Sequence, residues 1–430
     1  MELKPGYKQT EVGVIPEDWE IVPFAELFAF RNGVNADKAS YGQGVRFINV
    51  LEPITYTHIH GPEVTGQVTL PESVISSYAV HMGDVLFNRT SETQDEVALA
   101  ATYLGTERVV FGGFVIRGRP LNKRLNPVYS GYALRASVIR SQIVPMGQGA
   151  VRANVGQQNL GLVLAPIPTL PEQRAIATAL SDVDALLDGL DRLIAKKRNL
   201  KQAAMQQLLT GETRLPGFEG EWEVKRLREI VDCAPSGTYG VERQSPTLLP
   251  MPVATTAQIS NDDRWNGKIM QTRFFTSEQV ATYGVSVGDL VVVKSSGSAA
   301  SIQSGKMVLI DRSLAGAFLF SNFLMRLRPK AIFPNFLYFF LTSNRIKSML
   351  PSLCEASTYP NIRINEYLEI DIPVPETKEQ TAIATVLSDM DAEIAVLEQR
   401  RDKTKDLKLT MMQELLTGKT RLVATSRTTV

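Results

Sequence analysis

The chain has 430 residues, 44% of them hydrophobic, and a formal net charge of +1, the balance of an ordinary globular protein of two or more domains. No apolar run reaches the length of a helical membrane span, and the first residues, MELKPGYKQTEVGVIPEDWE, lack the apolar core of a secretory signal. Two cysteines, Cys233 and Cys354, argue against a disulfide framework and fit a reducing, cytoplasmic setting.

In chain order, the first segment, 1–165, is expected to be a mixed α/β domain. It opens on Trp19-Glu20-Ile21 with Phe24, Glu26 and Leu27. It then carries SYAVHMGDVLFNRTS (77–91), where a Gly-Asp pair precedes a β-rich run and a small polar loop. From Arg108 to Pro171 there is no acid, while eight basic residues occur: Arg108, Arg117, Arg119, Lys123, Arg124, Arg135, Arg140 and Arg152. The next segment, 166–215, reads as one long helix. Ile176, Leu180, Val183, Leu187, Leu190 and Ile194 alternate steps of four and three, the period of a coiled-coil seam. The seam then softens to Lys197 and Lys201, which suggests pairing that is tight at one end and wetter at the other. Gly211 suits the left-handed position that closes a helix.

The same order then recurs. Segment 216–372 is a second expected α/β domain. Trp222-Glu223-Val224 with Leu227, Glu229 and Ile230 matches the first opening, and TYGVSVGDLVVVKSS (282–296) matches the first Gly-Asp island. Arg312 to Cys354 is again free of acids, with Arg312, Arg326, Arg328, Lys330, Arg345 and Lys347 present. Segment 373–430 is the second helix and a tail. Its seam is Ile383, Leu387, Met390, Ile394 and Leu397, softening to Arg401, Thr404 and Lys408, and Gly418 is its closing glycine. Set at Pro166 and Pro373, the two helix segments align without a gap over 50 positions, and about half are identical. A repeat this long governs the fold. It predicts an α+β chain with two mixed α/β domains separated by two long helices; an antiparallel coiled coil with pseudo-twofold symmetry puts the domains at opposite ends, where a parallel one would crowd both at one end.

The residues that repeat most closely are Pro166-Ile167-Pro168, Glu172-Gln173, Ala175-Ile176 and Leu208-Leu209-Thr210-Gly211. Their partners are Pro373-Val374-Pro375, Glu379-Gln380, Ala382-Ile383 and Leu415-Leu416-Thr417-Gly418. This layout resembles the specificity (S) subunit of type I restriction–modification enzymes. The resemblance implies two target-recognition domains that each read half of a split double-stranded DNA site. It implies helices that set the spacing and dock two methyltransferase subunits, with restriction–translocase subunits joining the assembly. It also implies a chain without catalytic residues or cofactors of its own, whose partners use S-adenosylmethionine, ATP and magnesium. A two-domain coiled-coil scaffold that binds protein rather than DNA is the alternative.

Basic stretches supply the phosphate term of DNA binding, and polar side chains on loops supply base reading. The candidate contacts in the first domain are Arg89, Thr90, Ser91, Arg117, Arg119, Lys123, Arg124, Arg152 and Asn154. In the second they are Lys294, Ser295, Ser296, Arg326, Arg328, Ser357, Thr358, Tyr359 and Asn361. Other motifs fail on their own chemistry. Asn126-Pro127-Val128-Tyr129 lacks the second proline of an adenine-methyltransferase motif, and no glycine-rich cofactor loop precedes it. Gly418-Lys419-Thr420 has Gln413 where a phosphate loop needs glycine, and it ends a helix rather than opening one. Gly305-Lys306 is followed by Met307, which fails for the same motif. His58 and His60 have no ligand cluster nearby and read as a surface turn. Asp182, Asp184, Asp389 and Asp391 read as charges favouring the helix dipole.

Overall fold

The computed structural model describes residues 3, 5–147, 149, 152–298, 301–355 and 360–423. The chain forms two compact units, one of 1–190 with 400–430 and one of 191–399. The division runs through both long helices, α1 (Leu170–Leu208) and α2 (Thr377–Leu415). Each helix therefore gives its apolar first half to one unit and its more polar second half to the other.

The first unit carries a five-stranded sheet in the order Phe28–Asn32, Val115–Pro120, Val85–Asn88, Ala100–Tyr103 and His58–Ile59. A second sheet runs Val109–Phe111, Tyr41–Ile48 and Gln67–Val68. The second unit repeats this plan. One sheet runs Val231–Ala234, Leu324–Pro329, Leu290–Val293 and Met307–Leu309, and the other runs Leu319–Phe320, Leu249–Ala254 and Gln271–Phe275. In each three-stranded sheet the central strand has one parallel and one antiparallel neighbour. The plan persists where the residues have diverged, because alternation of buried and exposed positions specifies a sheet more loosely than residue identity does.

The strongly repeated islands are partners in space. Glu20–Pro23 pairs antiparallel with Leu164–Ile167, and Glu223–Arg226 pairs antiparallel with Asp371–Val374. This ribbon ties the start of each domain to the residues that lead into its helix. In the first unit Ile176, Ala177 and Leu180 of α1 share a core with Leu415 at the end of α2, with Leu416 just beyond it and with Tyr129 and Tyr132. In the second, Ile383, Ala384 and Leu387 of α2 share a core with Met205 and Leu208 of α1 and with Leu209 just beyond it. Both helices close on a glycine with positive φ, Gly211 at 76° and Gly418 at 71°. In each an equivalent hydrogen bond between residues six apart spans the turn, Thr213 N to Gln207 O and Thr420 N to Glu414 O, and the left-handed glycine is the residue that commonly closes a helix.

Candidate nucleic-acid interface

The repeated helix endings explain themselves at Glu172 and Glu379, both fully buried. Glu172, near the start of α1, accepts from Trp19 Nε1 at 2.9 Å and from Arg421 Nε and NH2 at 2.5 and 2.8 Å. Glu379, near the start of α2, accepts from Trp222 Nε1 at 3.0 Å and from Arg214 Nε and NH2 at 2.5 and 2.6 Å. Each unit thus closes on one carboxylate held by a tryptophan from its own domain opening and an arginine beyond the end of the opposite helix. The carboxylate and the hydrogen bonding hold the Arg421 and Arg214 guanidiniums above their ordinary pKa, against the opposing cost of burial. The adjacent glutamines fix the helix to the domain. Gln173 accepts from Asn126 N and donates to the carbonyls of Arg124 and Pro168, while Gln380 accepts from Phe333 N and donates to Pro375 O. The sequence marks these residues as repeated; their pairing across some 165 to 250 positions leaves no periodic trace.

The helices meet antiparallel inside each unit. In the first, Lys408 of α2 pairs with Asp184 of α1 at 2.5 Å, and Asp184 also accepts from Tyr132 at 2.7 Å. In the second, the repeat-related Lys201 pairs with Asp391 at 2.6 Å. These findings correct the dipole reading of Asp184 and Asp391. Both lie more than three turns inside their helices, beyond the first-turn reach of the terminal dipole, and their charges answer lysines of the facing helix. The softened seam at Lys197 and Lys201 is likewise ionic, since Lys197 reaches Glu393 at 2.6 Å.

Several arginines of the acid-free runs also prove to be paired with acids that lie elsewhere in the chain. Asp84 of the first Gly-Asp island is buried and accepts from Arg119 through two bonds of 2.9 and 2.7 Å. Asp289 of the second does the same for Arg328, at 2.7 Å twice. Arg117 and Arg326 lie beside the same carboxylates and donate to the carbonyls of Ala79 and Gly284. Burial lowers the pKa of both guanidiniums. Arg135 holds the carbonyls of Ala100 and Ile54, and burial brings its guanidinium down to about 10. Arg140 holds Asp95 O, and Arg108 pairs with Glu72. Arg117, Arg119, Arg326 and Arg328 therefore brace the sheets. Local charge counting overlooked this because the balancing acids are some 33 to 39 positions away.

The polar loops come together as one pair per unit. Asn154 pairs in a short ribbon with Thr90, whose Oγ1 donates to Asn154 Oδ1 at 2.6 Å, and Val155 N donates to Arg89 O. Ser91 is buried and donates to Glu96, while Arg152 stays exposed, 3.7 Å from Glu92. In the second unit Ser295 bridges Asn361, and Ile362 N donates to Lys294 O. Ser296 N donates to Ser304 Oγ, which in turn donates to Pro360 O at 2.6 Å. Ser357, Thr358 and Tyr359 lie outside the described residues. Lys123 and Arg124 are exposed, the latter 3.6 Å from Glu20.

The discarded motifs have structural uses. Asn126 caps the helix Pro127–Ala133 by accepting from Val128 N and Tyr129 N. His58 departs from the expected surface turn: it is half-buried, bonds Val128 O at 2.8 Å and packs edge-on against Tyr132. Among the described residues no group of His, Cys, Asp and Glu is placed to hold a metal, and no helix is long and apolar enough to cross a membrane.

The sequence profile of the type I restriction modification DNA specificity domain matches residues 219–405. A Methanocaldococcus jannaschii protein assigned as the MjaX type I restriction enzyme specificity subunit is 25% identical, over 97% of this chain and 97% of its own. The EcoKI specificity subunit of Escherichia coli is 21% identical over 86% of this chain and 82% of its own. The crystal structure of the type I restriction-modification S subunit from M. genitalium covers 96% of this chain and 98% of its own with a TM-score of 0.55 at 16% identity, a likeness of fold. The full-length correspondence of relatives, the matched domain and the doubled architecture agree in likening the chain to the specificity subunits of type I restriction–modification systems.

Proposed function

We propose that the chain reads a bipartite site on double-stranded DNA, one half per unit, and directs methyltransferase and restriction subunits to it. The observation that supports this most is the doubling itself. Corresponding sheet orders, with one more edge strand in the first unit, the same Glu–Trp–Arg clamp and one paired polar loop occur in each unit, and a two-part protein of this kind matches a two-part site. Thr90 with Asn154 and Ser295 with Asn361 mark the loops that bear on bases, and Arg89, Arg152, Lys123, Arg124 and Lys294 supply phosphate contacts. The chain itself is non-catalytic. Methyl transfer, translocation and cleavage belong to partners that carry S-adenosylmethionine, ATP and magnesium. Two methyltransferase subunits are expected per chain, one for each repeat, and native mass spectrometry of the co-expressed assembly counts them.

The deciding experiment maps methylated bases in host DNA with and without this gene. A split methylated motif that disappears on deletion, and returns on complementation, is the expected result. If every methylated motif survives deletion while the chain still co-purifies with partner proteins, it acts as a scaffold instead.

A further inference from the structure

Each unit exposes a phenylalanine at the same point of its fold. In the first, Val115–Pro120 pairs with Val85–Asn88 with Val115 opposite Asn88. In the second, Leu324–Pro329 pairs with Leu290–Val293 with Leu324 opposite Val293. Asn88 and Val293 each stand four residues after the buried aspartate, Asp84 or Asp289, so the two registers coincide. The residue that enters the strand is then Phe114 in one unit and Phe323 in the other. Its carbonyl is held alike, by Arg89 N at 2.8 Å and by Lys294 N at 2.9 Å. The segments that follow are FVIRGRP (114–120) and FLMRLRP (323–329). Their repeated arginines serve Asp84 and Asp289, and Val115, Ile116, Leu324 and Met325 belong to buried clusters. The phenylalanines have neither use. They are 53% and 50% exposed and stand outside those clusters. The turns before them differ, Gly112-Gly113 against Ser321-Asn322, so the ring does not recur as part of a repeated turn. A single exposed phenylalanine is ordinary. Two at one register, each tethered to a basic residue that opens a hydroxyl-bearing loop, Thr90-Ser91 or Ser295-Ser296, point to a partner common to both units.

We propose that Phe114 and Phe323 are base contacts, each lying against the methyl group of a thymine in the major groove of its half-site. The inference rests on the DNA-reading function proposed above and adds an apolar contact to its polar loops. Thymine is the base whose major-groove edge carries a methyl group, and phenylalanine is among the side chains that contact it. Half of each ring is already covered by its own unit, which suits contact with a groove edge better than insertion between stacked base pairs. The basic residue beside each ring, Arg89 or Lys294, then lies within reach of the flanking phosphates, which position a protein without specifying sequence.

The test uses the assembled complex with its methyltransferase partners and duplexes carrying the methylated motif found in the host. Deoxyuridine replaces thymine at one position at a time, which removes the methyl group and keeps the base pair. Wild-type binding should weaken about fourfold at one thymine in each half-site, the effect of one buried methyl-sized group. Phe114→Ala should abolish that penalty in one half-site alone, and Phe323→Ala in the other. Phe114→Leu and Phe323→Leu keep an apolar side chain and should retain part of it. The penalty is a ratio within one variant, so a general loss of stability or affinity cancels from it. A wild-type assembly that discriminates sequences but is indifferent to deoxyuridine overturns this inference alone. A penalty that persists in the alanine variants does the same. So do alanine variants that no longer assemble with the methyltransferase, which would make the rings a protein interface. A wild-type assembly with no sequence preference overturns both this inference and the DNA-reading function.

Discussion

At the scale of single residues, the buried glutamates are the most consequential groups in the chain. Removing one partner of a buried ion pair leaves the other charge uncompensated, at a cost of about 3–5 kcal/mol. Glu172→Ala leaves Arg421 with a second carboxylate, Asp18, at 3.0 and 2.8 Å, so its loss is expected at the lower end, about 3 kcal/mol. Glu379→Ala leaves Arg214 with the carbonyls of Gly220 and Glu219 and the face of Trp222 but, among the described residues, no carboxylate hydrogen-bonded to it, so its urea midpoint should fall further than that of Glu172→Ala. Equal midpoints would show that Asp18 contributes nothing. His58 supplies a pH dependence. Its Nε2 donates to Val128 O as a neutral imidazole, and its pKa is lowered chiefly by burial, then by His60 and Lys408, against raising effects of the Val128 bond and Asp184. Below 6.5, its ordinary value, the unfolded chain takes up a proton that the folded chain resists. This stability is therefore full above 6.5 and lost as pH falls below it. His58→Gln keeps a donor for Val128 without titrating, so its urea midpoint should fall less than the wild type's between about pH 7 and 5.5. Parallel falls would remove His58 as the source.

At the scale of elements, the long helices were legible because their seam and their closing glycines are local patterns. Ile176, Leu180, Ile383 and Leu387 are all fully buried, or within 1% of it, as the alternating steps predict. The partners of Asp184 and Asp391 were not legible, because a contact between antiparallel helices joins positions about 190 to 224 residues apart. The arginine braces were hidden for the same reason: Arg119 and Arg328 look like free charge until Asp84 and Asp289 fold beneath them. Three glycines test the helix account. Gly189 lies inside α1 with open space where a Cβ would stand, so Gly189→Ala should stabilise by about 1 kcal/mol through the helix preference of alanine. Gly211 and Gly418 have positive φ, where alanine costs about 1 kcal/mol. At Gly418 the added Cβ would also meet Pro16 at 2.5 Å, whereas at Gly211 its nearest neighbour is 3.5 Å away. Thermal midpoints should thus rank Gly189→Ala, wild type, Gly211→Ala, Gly418→Ala from high to low. A destabilising Gly189→Ala would mean that its helix face is already occupied.

At the scale of the whole molecule, the proposed spacing role of the helices predicts how the recognised site responds to their length. Where the extra length is added decides the experiment. Four residues placed just before Leu208 would fall between Lys201, held by Asp391, and Arg214, held by Glu379. The second unit would have to break one contact to keep the other, so the insertion would loop out or unfold its surroundings. The division between the units falls at Leu190/Asp191 in α1 and at Gln399/Arg400 in α2. Four residues inserted at both places leave the register inside each unit intact. Each insertion lengthens its helix by about 6 Å at 1.5 Å per residue and, being close to one turn of 3.6, rotates the following face by roughly 40°. Against a rise of about 3.4 Å per base pair, the unread spacer should grow by one or two base pairs while the bases read in each half remain the same. Methylome sequencing of a strain carrying the double insertion reads both quantities. An active enzyme with its original spacer would end the spacing hypothesis. Altered bases in either half would instead assign the helices a share in base reading.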